Sequence, residues 1–357
     1  MIIHKEGLNI IKNYITEYKN SNNIKREKLL KKLIDKNVLI KTEDGTYTFL
    51  SEDPNECMHS KIGAMTESIE KFVKPSNLAN IKNPKILDLC SGMGYNTVAA
   101  LHYNQEAIID MVEYCEEILF LSLFLDIPLP EHNIVKKVIE NYFKGEDNNT
   151  KNIKLYVGDA RNIVKKLKDN YYDIIFHDAF SPQRDCVLYT VDFLKILYDK
   201  LKDGGLLISY SSSIPFRSGL VECGYIISEY PSVGRKRGIT IGYKNLSGIN
   251  RELEDKIDGN KINNKIKRIS PIDERLIALS TVGVPYRDKY LNLDHDTVVK
   301  NREIEREEFK RKLIKLGRYY STKRIKLGNI PEKYLKIQES NSNSTEIINN
   351  LKKLLLD

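Results

Sequence analysis

Between Lys85 and Tyr243, short apolar runs alternate with segments of helical period, and no other feature constrains the fold of this chain so strongly. That alternation is the signature of a parallel sheet covered on both faces. The runs predict strands at Ile86 to Leu89, Ile108 to Val112, Ile153 to Val157, Tyr172 to His177, Leu206 to Tyr210, Tyr225 to Tyr230 and Ile239 to Tyr243. A turn joining the last two predicts an antiparallel hairpin at one edge. The expected fold class is therefore α/β, Rossmann-like, with a seven-stranded and mostly parallel sheet. Strand count alone would also suit many nucleotide-binding sheets.

The flanks are of another kind. The first 50 residues read as two amphipathic helices, Gly7 to Tyr18 and Lys25 to Asp35, then a hairpin turning at Asp44-Gly45. A further helix is expected from Asn55 to Phe72. Residues 248 to 267 are polar and read as a linker. Asp296 is expected to cap a charged helix from Thr297 to Leu316 closed by Gly317, and Glu339 to Glu346 reads as a mobile low-complexity stretch. The expected organisation is a helical and hairpin cap (1–83), the sheet-bearing core (84–247), and a linker with a basic helical extension (248–357).

The first strand runs into Cys90-Ser-Gly-Met-Gly94, and the residues after Asn96 suit a helix, so Gly92 and Gly94 sit at a strand-to-helix turn. Glycine lets the backbone approach a ligand there, and the helix start presents free amides. Three carboxylates stand at fitting offsets. Glu113 ends the next strand, where it could accept both ribose hydroxyls or simply be a surface residue. Asp159, with Ala160 after the third strand, could accept from an adenine amino group or cap the following helix. Asp88, inside an apolar strand, is costly without donors and should meet the loop amides or an ammonium group. Position 97 is Thr rather than a third glycine, which disfavours the close approach of a pyrophosphate. S-adenosylmethionine fits better, held by Asp88, Gly92, Gly94, Asn96, Glu113, Asp159 and Ala160.

The fourth strand ends in His177-Asp-Ala-Phe-Ser-Pro182 at the carboxyl edge of the sheet, where ligands bind in this architecture. A carboxylate followed by an aromatic ring and a proline suits methyl transfer to nitrogen. Asp178 would accept hydrogen bonds or a proton from the amine, Phe180 would pack on it, and Pro182 would fix the turn. His177 points to the other face and is expected to be packed. Gly234-Arg-Lys-Arg-Gly238 places Arg235, Lys236 and Arg237 in one loop, which could lie along a phosphate backbone or be a solvated hairpin tip.

Composition narrows the classes. No apolar run approaches the 18 or so residues of a membrane span, and the first residues lack an export signal, so a cytoplasmic protein is expected. The five cysteines form no CxxC pair, so no metal site is expected, and they read as small buried hydrophobes. The net charge of +8 is uneven: residues 251–357 carry 24 Lys+Arg against 17 Asp+Glu, whereas residues 84–250 carry 19 against 21. That excess fits a polyanionic partner, or ordinary solvated lysines.

Several stretches resemble the MnmC-like methyltransferase domain family. They are Thr48-Phe-Leu-Ser51, His59-Ser-Lys-Ile-Gly-Ala64 with Glu67-Ser68, the glycine turn, Asp178-Ala-Phe-Ser-Pro182, the Ser211 and Arg217 segment, Val233-Gly-Arg-Lys-Arg237 and Val284-Pro-Tyr-Arg-Asp288. The resemblance implies a methyl group moving from S-adenosylmethionine to the exocyclic amine of an aminomethyl-uridine at the wobble position of tRNA. It implies that Asp178 serves the amine and that Arg235 to Arg237 meet the RNA. The flavin oxidase domain of bifunctional members has no counterpart here, so a stand-alone form is expected. Three alternatives stay open: methylation of a protein or small molecule, spermidine-synthase-like aminopropyl transfer, which needs no basic appendages, and non-catalytic RNA binding, which needs no methyl donor.

Overall fold

The computed structural model describes residues 3–21, 26–52, 57–232, 237–245 and 266–357. They form two compact units, Met1–Lys166 with Ile174–Phe180, and Leu167–Asp173 with Ser181–Asp357. The fold is α/β and Rossmann-like, as expected. Beside a small N-terminal pair, β1 (Leu39–Lys41) and β2 (Tyr47–Phe49), the strands are β3 (Lys85–Leu89), β4 (Ile108–Glu113), β5 (Ile153–Val157), β6 (Tyr172–His177), β7 (Leu201–Ser209), β8 (Ile226–Tyr230) and β9 (Ile239–Tyr243). Their order is β5-β4-β3-β6-β7-β9-β8 in a seven-stranded sheet. β5, β4, β3 and β6 pair in parallel, and β9 is antiparallel to both β7 and β8.

In the first unit, Ile86, Leu87 and Leu89 of β3 are fully buried, as the two-sided cover of a parallel strand requires. Asp88 is the one polar residue within that run. Helices Lys5–Ser21 and Arg26–Asp35 bury Ile11, Leu29 and Leu33. The hairpin closes at Asp44, whose carboxylate accepts from the Thr46 hydroxyl at 2.6 Å and the Thr66 amide at 2.9 Å.

The helix expected from Asn55 begins only at Ala64. Residues 53–56 lie outside the described residues, and the next ones serve the hairpin instead: the Met58 amide donates to the Phe49 carbonyl at 2.9 Å and the His59 amide to the Thr48 hydroxyl at 2.8 Å. Gly63, at φ 130°, then makes the break before the helix. A π-helical turn follows at Ile69–Val73.

In the second unit, β7 starts at Leu201, earlier than its apolar run suggested. The helix His295–Lys315 is capped by Asp294, which accepts from the Thr297 amide at 2.8 Å, rather than by Asp296. Asp294 holds the extended conformation a cap needs, and Gly317 closes the helix at φ 66°. The stretch read as mobile ends in an ordered helix, Ser344–Leu356. Asn343 caps it, and the Thr345 hydroxyl donates to the Tyr225 carbonyl at 2.9 Å. The apolar stripe Ile347, Ile348, Leu351 and Leu355 is fully buried, so the polar run supplies a cap rather than a loose tail. Most of the linker, through residue 265, lies outside the described residues. Among the described residues no helix is long and apolar enough to cross a membrane.

Candidate active site

The glycine turn is held from every side. After β3, the Cys90 and Ser91 amides donate to the Val112 carbonyl at 2.9 and 3.1 Å, the Gly94 amide donates to the Ser91 carbonyl, and the Ser122 hydroxyl donates to the Met93 carbonyl. Cys90, Gly92 and Gly94 alternate through positive φ, at 61°, 55° and 85°. For Cys90 that conformation costs about 1 kcal/mol, strain of the kind stored at functional turns. A Cβ on Gly94 would lie 2.9 Å from Val135 Cγ1, in addition to the strain of its φ. Gly94→Ala is expected to cost roughly 1–3 kcal/mol and to lower the melting temperature measurably by calorimetry.

Behind the turn, two carboxylates are each held by a side chain from the start of the next helix. The Thr97 hydroxyl donates to Asp88 Oδ2 at 2.7 Å, and Asn96 Nδ2 donates to Asp178 Oδ2 at 2.9 Å. Asp88 is fully buried and Asn96 is 4% exposed, yet Asp88 Oδ1 and Asn96 Oδ1 have no hydrogen-bond partner. Two buried acceptors without donors mark a place where a ligand bearing N–H groups belongs. Burial raises the Asp178 carboxyl to about 7, opposed by the Asn96 hydrogen bond and helped by the Asp88 charge. Burial likewise raises Asp88 to about 6 and pushes Glu113 up. A cation entering here would relieve all three.

The structure brings Glu113 to the same turn. Its carboxylate accepts from the Gly92, Tyr114 and Cys115 amides, each at 2.8 Å. Asp159 does cap the helix at Ala160, accepting from the Arg161 amide at 2.8 Å, and its carboxylate also holds the Arg161 guanidinium at 2.8 Å. Phe180 is half-buried, Pro182 buried, and His177 fully buried. Arg235 and Lys236 lie outside the described residues, and Arg237 is exposed and pairs with Asp273 at 2.9 Å. The structure thus gathers Asp88, Gly92, Gly94, Asn96, Glu113 and Asp178 at one turn.

The segment that covers this turn lies outside the candidate residues of the sequence. A Cβ on Gly92 would lie 3.6 Å from Met58 Cε, and the His59 ring stacks edge-on to Tyr95 with centroids 5.4 Å apart. The Tyr95 hydroxyl donates to the Tyr47 carbonyl at 2.8 Å, tying the hairpin to the helix after the turn. Lys71, in the π-helical turn, pairs with Glu67 at 2.7 Å, and its charge acts to lower the Asp178 carboxyl. The motif at residues 59–68 was the available signal, and it marked this cover. Other motif residues are structural: Arg217 is fully buried against Asp273 and Glu229, and Asp288 accepts from the Asn292 and Leu293 amides. Among the described residues no group of three or more His, Cys, Asp or Glu side chains could hold a metal ion.

A family model described as S-adenosyl-L-methionine-dependent methyltransferase matches residues 130–245. Uncharacterized protein MJ0670 of Methanocaldococcus jannaschii is 53% identical over 99% of this chain and 96% of its own length. Shorter matches reach a polyamine aminopropyltransferase of Prochlorococcus marinus (30% identical, 40% of this chain, 46% of that protein) and the tRNA 5-methylaminomethyl-2-thiouridine biosynthesis bifunctional protein MnmC of an Acidovorax species (29% identical, 23% of this chain, 13% of that protein). The crystal structure of MnmC2 from Aquifex aeolicus superposes with a TM-score of 0.60 at 24% identity, covering 84% of this chain and 99% of that one, and shares the fold. The chain belongs to one family with MJ0670, and its match to the family model makes it an S-adenosylmethionine-dependent methyltransferase.

Proposed function

We propose that this methyltransferase methylates the amine of an aminomethyl-uridine at the wobble position of tRNA, working in the cytoplasm. The observation that carries the reading is the half-buried Asp178 carboxyl at the end of β6, held by Asn96 at 2.9 Å. A carboxylate held this way can accept from a group that donates N–H. The partial relative MnmC serves tRNA 5-methylaminomethyl-2-thiouridine biosynthesis, and its name contains an amine of this kind.

S-adenosylmethionine supplies an electrophilic methyl group when bound. In the proposed arrangement Asp88 and Asn96 orient its ammonium end, Gly92 and Gly94 let the backbone approach, Glu113 accepts from the ribose, and Asp159 with Ala160 borders the base. The core, residues 84–247, holds donor and amine, and residues 1–83 and 248–357 are appended to it. An alkylamine reaches the site as its cation and must lose a proton before its lone pair can attack. Asp178, near pKa 7, takes that proton at neutral pH, while Phe180 and Pro182 wall the amine. Arg235, Lys236 and Arg237 are proposed to contact the RNA.

Glu113→Ala is expected to weaken S-adenosylmethionine binding by about 10- to 100-fold, the worth of one or two hydrogen bonds to a charged group, as calorimetric titration would read. Aminopropyl transfer is the second reading, favoured by the match to a polyamine aminopropyltransferase and by the acidic site. Assays with decarboxylated S-adenosylmethionine and putrescine, beside tRNA with S-adenosylmethionine, separate the two. Product only in the polyamine assay would replace the first reading with the second.

A further inference from the structure

The chain carries +8 overall, but residues 310–336 hold ten Lys or Arg and a single Glu, a net +9 in 27 residues. The other 330 residues together carry −1. The cations run from the last turns of the helix His295–Lys315 through the helices Thr322–Leu327 and Glu332–Gln338. Arg311, Lys312, Lys315, Lys323, Lys326 and Lys333 are exposed. Lys312, Lys315, Lys323 and Lys326 make no ion pair among the described residues. Residues 296–308 of the long helix carry five acidic and three basic side chains instead, a net −2, so the positive excess begins only at its end.

A structural account covers part of this. Lysines in a last helical turn complement the helix dipole, which suffices for Lys312 and Lys315. It also covers Lys326, in the last turn of Thr322–Leu327, but it does not reach Lys323 or Lys333. A run of exposed like charges costs free energy that a polyanion would relieve. The long helix has no segregated apolar face, since its exposed Ile304 and Ile314 lie among charges of both signs, and a membrane-surface helix needs such a face. Tyr319, in the middle of the patch, is 38% exposed, and Arg324 lies 5.5 Å from the Tyr320 ring centroid. Aromatic rings among unpaired cations suit nucleic acid, whose bases stack while its phosphates pair.

We propose that residues 310–336 form an RNA-docking surface that grips the phosphate backbone of the substrate. The inference rests on the tRNA reading for the identity of that substrate, and deepens it by placing the grip in the C-terminal helices.

The test is filter binding of bulk tRNA by the full chain across a salt series. The variant combines Lys312→Ala, Lys315→Ala, Lys323→Ala and Lys326→Ala, and a charge-matched control combines Lys28→Ala, Lys31→Ala, Lys41→Ala and Lys154→Ala at other exposed lysines. The patch variant is expected to bind on the order of 100-fold more weakly at physiological salt, with a log–log salt slope shallower by about 3, while the control stays within a few-fold. An unchanged slope, an equal loss in the control, absence of tRNA binding by the unaltered chain, or binding only to phosphatidylserine vesicles would each overturn the proposal. Patch-dependent tRNA binding without methyl transfer would leave the docking surface standing and remove the wobble-uridine reading. Methyl transfer that ignores the patch would do the reverse.

Discussion

Asp178→Asn is expected to lower kcat for tRNA methylation by roughly 10²- to 10⁴-fold, the usual worth of a positioned proton acceptor, while S-adenosylmethionine binds within a few-fold of the unaltered chain. The side chain keeps its size and its place beside Asn96 but can no longer take a proton. Its pH behaviour follows from burial. Asp178 titrates near 7 in the folded chain against an ordinary value of 3.8, so activity should rise with pH through about 7 and the variant should lack that rise. Between those two values the folded chain holds a proton that the unfolded chain has released, so this carboxyl's contribution to stability falls as pH increases across the window. The neutral amide has no charge to bury. Asp178→Asn should therefore gain melting temperature relative to the unaltered chain at pH 8 and gain little at pH 4. Normal turnover at pH 8 would show that Asp178 is not the proton acceptor, and a loss of stability there would show that it is not a destabilised acid.

Arg217→Ala is expected to remove roughly 3–5 kcal/mol of stability, because it leaves buried carboxylates without their partner. The guanidinium donates to Asp273 at 2.9 Å, to the Thr240 hydroxyl at 2.9 Å, to the Gly238 carbonyl at 3.2 Å and to Glu229 at 3.4 Å, with no exposed surface of its own. Arg237 still reaches Asp273, which limits the damage on one side. Arg217→Lys should recover little, since a single ammonium cannot meet four acceptors spread over a planar fork. The measurement is differential scanning calorimetry, followed as the transition of the second unit, because a chain of two units need not unfold in one step. A variant that melted normally but bound tRNA poorly would make Arg217 a contact residue instead of a structural one.

The sheet was legible because its physics is local and repetitive. A strand buried on both faces must be nearly all apolar, so Ile86 to Leu89 and Tyr172 to His177 announced themselves, and Asp88 stood out as the exception. The glycine turn was legible for a related reason: a sharp strand-to-helix turn under a ligand needs positive φ at Gly92 and Gly94. Cys90 at φ 61° was not foreseeable, since only the surrounding hydrogen bonds hold a non-glycine residue there. The cover over the turn escaped reasoning from composition because it depends on contacts distant in sequence. The bond of Tyr95 to Tyr47 and the pairing of Met58 with Phe49 are examples, and those contacts also delayed the helix expected from Asn55. The stretch before Ser344 misled because caps are made of the same polar residues as loose tails. Only the fully buried Ile347, Ile348, Leu351 and Leu355 decide between them.

Incubating the full chain with methyl-labelled S-adenosylmethionine and bulk tRNA lacking the final methyl group, then resolving the nucleosides by mass spectrometry, tests the central claim most directly. The account predicts label in a methylaminomethyl-uridine. S-adenosylmethionine binding with no label in any tRNA nucleoside would contradict it.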